Sequence, residues 1–122
     1  MKTIYCLFTA AICLCSPLSY ASSDAVKGQQ LYASLCIACH SVDSNLAGPA
    51  HRGVYGRKAG SASGFDYSPA LKQSKVIWNE QTLDTWLTNP EKLIPGQQMG
   101  FSVSNAIDRK NLIEFLKMQT LR

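Results

Sequence analysis

The sequence predicts an all-α domain of about five short helices. Three observations carry the expectation. Apolar residues recur at i, i+3 and i+4 in several separate segments. No stretch alternates apolar and polar residues for long enough to make a convincing strand. Connections rich in Gly and Pro cut the chain into pieces too short for long helices.

At 122 residues the chain has room for one compact domain. Its first stretch reads as something else. Met1-Lys2 gives a positive start, an apolar run extends from Ile4 to about Leu14, and Ser19-Tyr20-Ala21 has the small-x-small form of a cleavage site. Residues 1–21 are therefore read as a secretory signal peptide and residues 22–122 as the domain. The apolar run is shorter than the roughly 20 residues that span a bilayer, so no stable membrane insertion is expected after cleavage. Lipidation would require small residues just before Cys13 or Cys15, and the sequence does not supply them. Cleavage removes Cys6, Cys13 and Cys15 and leaves Cys36 and Cys39, too few for a disulfide framework. It removes Lys2 alone from 12 basic residues, against 8 acidic ones. That small positive excess favours acidic partner surfaces weakly and is far from a nucleic-acid signature.

Taken in order, Asp24 can cap a first helix reaching about Leu35, with Val26, Leu31, Tyr32 and Leu35 on one face. From Ser41 to Gly64 the chain should be irregular, punctuated by Gly48-Pro49, Gly53, Gly56, Gly60 and Gly64. A loop this long in a small domain usually wraps something. Ser68-Pro69 offers a cap and an N1 proline for a second helix ending near Ser74. Asn79 caps a third, with Leu83, Trp86 and Leu87 on one side, before Asn89-Pro90 stops or re-nucleates it. Pro95-Gly96 opens a tight loop presenting Met99. The last helix starts at Ser104 or Asn105, with Ile107, Leu112, Phe115 and Leu116 inward.

Chemistry concentrates in Cys36-Ile37-Ala38-Cys39-His40. Two thiols three positions apart on a helical turn point to one side and can form thioethers with the two vinyl groups of a haem. The histidine that follows is placed to ligate the iron, so the motif predicts one covalently bound haem c per chain. A zinc site would need Cys36, Cys39, His40 and His51 together, without a second paired knuckle. A thioredoxin-like dithiol should follow a strand, whereas this motif follows a helix. A plain local disulfide is the remaining alternative.

The sixth iron position has three candidates, Met99, His51 and Met118. Met99 is favoured, because its loop lies far enough along the chain to encircle the haem. A soft thioether also stabilises ferrous iron and raises the potential. His51 follows His40 too closely to reach the opposite face easily. Arg57, Tyr67, Ser68 and Trp78 are candidate donors to the haem propionates, which need partners when partly buried.

These residues resemble monohaem class I cytochrome c of the mitochondrial-like bacterial type, from Gly28 to Leu116. Gly28 and Tyr32 are similar to the family's first-helix face, which crosses the last helix near Leu112 and Phe115. The resemblance implies a Pro49 carbonyl accepting a hydrogen bond from His40, propionate contacts from Arg57, Tyr67 and Trp78, and Met99 as axial ligand. It differs at His51, where the family usually has leucine, at Trp86 for tyrosine, at Gln97 for threonine and at Leu71 for asparagine. The implied fold is the cytochrome c fold. The implied function is a periplasmic electron carrier and not an enzyme, with haem peroxidase-like activity at a displaceable sixth ligand as the alternative. Implied partners are a quinol-oxidising complex, a terminal oxidase or a periplasmic dehydrogenase. Docking would be transient and guided by lysines such as Lys58, Lys72, Lys75 and Lys92.

Overall fold

The computed structural model describes residues 22–122, so the signal-peptide reading of residues 1–21 lies outside the described residues. Five helices follow in order: α1 (Ser23–Leu35), α2 (Pro69–Gln73), α3 (Glu80–Thr88), α4 (Pro90–Leu93) and α5 (Ala106–Met118). Among the described residues the only ladder pairing is one isolated antiparallel bridge, Lys58 with Ile77. The all-α expectation holds.

Capping side chains place most helix starts. Ser68 Oγ accepts from Leu71 N at 3.3 Å with Pro69 at the first helical position. Asn79 and Thr82 exchange side-chain and backbone bonds at 2.9 Å in a reciprocal capping box. Asn89 ends α3 and at once caps α4, so Asn89-Pro90 re-nucleates the chain. Asn105 caps α5 through Ile107 N and Asp108 N. The expectation fails at α1, where Ser22 and not Asp24 accepts from Ala25 N. Asp24 falls in the first turn, where a carboxylate favours the helix dipole, and it pairs with Lys110 of α5 at 3.3 Å.

The principal helix contact is α1 against α5. A β-carbon on Gly28 would lie 1.9 Å from the Asn111 carbonyl oxygen and 2.8 Å from Phe115 Cβ, so only glycine permits this approach. Two residues assigned to inner faces are in fact outside. Val26 is 49% and Ile107 69% exposed. The crossing selects Ala25, Gly28 and Tyr32 on α1, and it meets α5 at Asn111 and Phe115, one and two turns beyond Ile107.

Leu112 is the centre of the core, 1% exposed, among Tyr32, Leu71, Leu83, Leu87, Ile113 and Leu116. Arg109 links α3 to the segment entering α5. Its Nε donates to Asp84 Oδ1 at 2.7 Å and its Nη1 to the Val103 and Ser104 carbonyls. On the opposite side, Gly56 N donates to Trp78 O and Trp78 N to Arg57 O, which sets Arg57 and Trp78 side by side. The long loop from Ser41 to Gly64 is thereby tied to the segment before α3.

Candidate haem-binding site

Helix α1 ends on Cys36, and the chain continues through one further turn in which Cys39 N and His40 N both donate to Cys36 O. That turn brings both thiols and the imidazole to the wall of a cavity of about 580 Å³. Both cysteines are free. Burial pushes the half-buried Cys36 thiol up to about 11, so it stays protonated near neutral pH.

Gly48 and Pro49 hold the imidazole of His40. Gly48 N donates to Cys39 O at 2.7 Å, folding the loop back so that a β-carbon on Gly48 would lie 2.2 Å from His40 Cε1. His40 Nδ1 is 2.9 Å from the Pro49 carbonyl oxygen. A carbonyl only accepts, so Nδ1 carries the proton and Nε2 keeps its lone pair for a metal. Desolvation lowers the His40 pKa, and the Pro49 bond opposes that shift.

His51 stacks on His40, with ring centroids 4.1 Å apart and planes 21° from parallel. Its Nδ1 lies 2.9 Å from the Tyr32 hydroxyl. Burial, then the neighbouring His40 and Arg57, push His51 down to about 3, so it is neutral near pH 7. It shares the His40 side of the cavity and does not face His40 across it.

Arg57 donates Nη1 to Arg52 O and Nη2 to Ala50 O, both at 3.0 Å. Its Nε is buried without a hydrogen-bond partner. Tyr67 accepts from Ala62 N at 3.0 Å and keeps its hydroxyl proton to donate. Trp78 is 7% exposed and meets Trp86 edge to face at 5.3 Å. Arg57, Tyr67, Ser68 and Trp78 all line the cavity, as do Leu71, Leu83, Leu87 and Leu112.

Met99 reaches the same cavity from the turn after α4. Gly96 has φ +86, and its N–H donates to Glu91 Oε1 at 2.9 Å. Gln97 donates Nε2 to Glu91 Oε2 at 3.3 Å, while its Oε1 accepts from Met99 N. Met118 is not among the lining residues.

Eight of the residues singled out from the sequence, namely Cys36, Cys39, His40, Pro49, Arg57, Tyr67, Trp78 and Met99, therefore line one cavity. They fit a haem by their chemistry. Two free thiols, a lone-pair imidazole nitrogen and a thioether suit covalent attachment and iron ligation. The unpartnered Arg57 Nε is a buried cationic donor of the kind a propionate satisfies. Among the described residues no group of three or more His, Cys, Asp or Glu is arranged to hold a metal. Two features escaped sequence reasoning. A glutamate beside a Pro-Gly turn gives no signal of its bond to Gly96, and the His51 stack depends on loop closure rather than spacing.

The profile of the family described as Cytochrome c matches residues 25–120. Cytochrome c2 of Rhodomicrobium vannielii is 41% identical over 123 residues, 98% of each chain. Cytochrome c of Gibberella zeae is 43% identical over 104 residues, 82% of this chain and 98% of that one. Among solved structures, cytochrome cH from Methylobacterium extorquens superposes with a TM-score of 0.74 at 39% identity, over 79% of this chain and 99% of that one. A profile spanning the described helices, full-length relatives and a matching solved structure converge with the site's donor set, and the chain belongs to the cytochrome c family.

Proposed function

We propose that this protein carries single electrons in a bacterial periplasm through a haem ligated by His40 and Met99. As a member of its family it binds one haem c covalently through two thioethers and transfers electrons to redox partners. The observation that carries the finer reading is that Met99 and His40 line the same cavity, each held by its own loop contacts. Haem bound there supplies a one-electron couple.

The residues then have separate tasks. Cys36 and Cys39 provide the thioether sulfurs. His40 offers Nε2, with the Pro49 carbonyl fixing the tautomer and strengthening the ring as a donor. Met99 would offer a soft sulfur as the second ligand to the iron, which would leave no open position for a substrate. Arg57, Tyr67 and Trp78 would hold the propionates. Leu71, Leu83, Leu87 and Leu112 give the cavity an apolar wall, which would exclude water and keep the surroundings of a bound haem at low dielectric.

Export is supported by the leader pattern of residues 1–21. Among the described residues no helix is long and apolar enough to cross a membrane. The bacterial cytochrome c2 relative also supports a periplasmic address. Donor and acceptor are proposed among a quinol-oxidising complex, a terminal oxidase and a periplasmic dehydrogenase. Encounter would be transient, guided by Lys58, Lys75 and Lys92, with Lys72 bound to Asp66 at 2.7 Å in the free protein.

The deciding experiment is an absorption spectrum of the exported, purified protein in both oxidation states. A low-spin spectrum with the ferric sulfur-to-iron charge-transfer band is expected. Rapid peroxide turnover by the fresh protein, with that band absent, would overturn the carrier assignment in favour of an open sixth site.

A further inference from the structure

We infer that His51 is a positioning residue for the axial ligand His40. Held by Tyr32, its ring lies flat on the ligand imidazole and fixes the rotation of that imidazole about its Cβ–Cγ bond.

A histidine side chain turns broadly about that bond, so one hydrogen bond leaves it some freedom. In this chain the Pro49 carbonyl restrains one edge of His40, and the Gly48 backbone lies close to its Cε1. The His51 ring adds a third restraint over the face, nearly parallel and 4.1 Å away. Turning His40 out of its plane would drive it into His51.

Such a wall is useful only if it cannot move. His51 is half-buried, and its Nδ1 is bonded to the Tyr32 hydroxyl at 2.9 Å. Tyr32 is itself 5% exposed, set edge-on to His51 at 5.6 Å and tilted against Phe115 at 4.9 Å. Phe115 belongs to the crossing of α1 with α5. A continuous packed series thus runs from the ligand ring through His51 and Tyr32 to the most tightly packed helix pair. A leucine at position 51 would fill comparable space but offers neither a flat face nor a hydrogen-bond partner for Tyr32.

The inference rests on His40 being the iron ligand, as proposed above. It is tested on the ferric holoprotein by proton NMR, because the spread of the haem methyl resonances reports the orientation of the axial imidazole plane. His51→Leu is expected to shift that pattern while the low-spin spectrum is kept. Tyr32→Phe is expected to shift it in the same direction and by less. The double variant should match His51→Leu alone, since Tyr32 acts through His51. If His51→Leu does not accumulate as holoprotein, Tyr32→Phe carries the test, because it keeps the ring and its packing on Phe115.

An unchanged methyl pattern in the variants that fold, with only a lower unfolding midpoint, would reduce His51 to ordinary packing and overturn the inference. Additive shifts from the two substitutions would overturn the linkage to Tyr32. Loss of the low-spin spectrum in the unsubstituted protein would instead overturn the ligand assignment itself, so the two failures are distinguishable.

Discussion

The backbone of Gly28 approaches the Asn111 carbonyl so closely that a β-carbon on it would stand 1.9 Å from the oxygen. Overpacking of this kind costs about 3 kcal/mol when the obstacle is backbone. The better helix propensity of alanine returns only about 1 kcal/mol. Gly28→Ala is therefore expected to destabilise the holoprotein by about 2 kcal/mol in urea unfolding. Val26→Ala, on the exposed side of the same helix, should change it by less than about 0.5 kcal/mol.

Met99→Ala should abolish the ferric sulfur-to-iron charge-transfer band and lower the reduction potential. Each tenfold loss of preference for ferrous over ferric iron lowers a one-electron potential by about 59 mV. Met118→Leu, on the half-buried last turn of α5 and away from the cavity, should leave band and potential unchanged. Visible spectroscopy and redox titration of both variants check this.

Glu91 anchors the methionine loop through Gly96 N and Gln97. The contacts are exposed, so losing them is worth about 1 kcal/mol. Glu91→Ala is expected to raise the rate at which imidazole displaces the sixth ligand of the ferric protein about fivefold in stopped-flow mixing. Glu91→Gln, which still offers one acceptor oxygen, should fall between the two.

Arg57 closes the carbonyls of Ala50 and Arg52 while keeping Nε for the cavity. Arg57→Met leaves those acceptors and the cavity short of a cationic donor, at a cost of about 2 kcal/mol. Arg57→Lys should recover little of it, since an ammonium cannot reach two carbonyls and the cavity from one planar fork. Chemical denaturation of both holoproteins reads the difference.

The Lys72 side chain holds the exposed Asp66 carboxyl below its usual value of 3.8. A lowered carboxylate pKa gives stability that is present above that value and lost as pH falls through the folded-state pKa. Asp66→Asn should thus matter at neutral pH and not in strong acid. It also frees Lys72. Electron transfer to an acidic redox partner is expected to quicken about twofold at low ionic strength, with the gain erased by salt.

Legibility followed locality. Ser68-Pro69, Asn79, Asn89-Pro90 and Asn105 were readable as helix starts because a cap acts within three residues of itself. The cysteine pentapeptide and the Pro95-Gly96 turn were readable for the same reason. Asp24 misled, since Ser22 two residues earlier is as good a cap, and Asp24 instead sits in the first turn and pairs with Lys110. Val26 misled because which face of a helix is buried is decided by its partner, here at the glycine crossing, and Ile107 because that crossing begins one turn beyond it, at Asn111. His51 was visible as a departure from the family, but its stack on His40 is a tertiary event between two loop segments.

The packing of α1 on α5 joins the first helix of the domain to the last. A nascent chain cannot close that joint until Leu112 and Phe115 have been made, so the domain has no early stable half. Until then the Cys36–Cys39 turn ends a helix without its main support. A break in α5 would therefore be felt at the far end of the sequence, where the turn that carries the thiols depends on α1 being held.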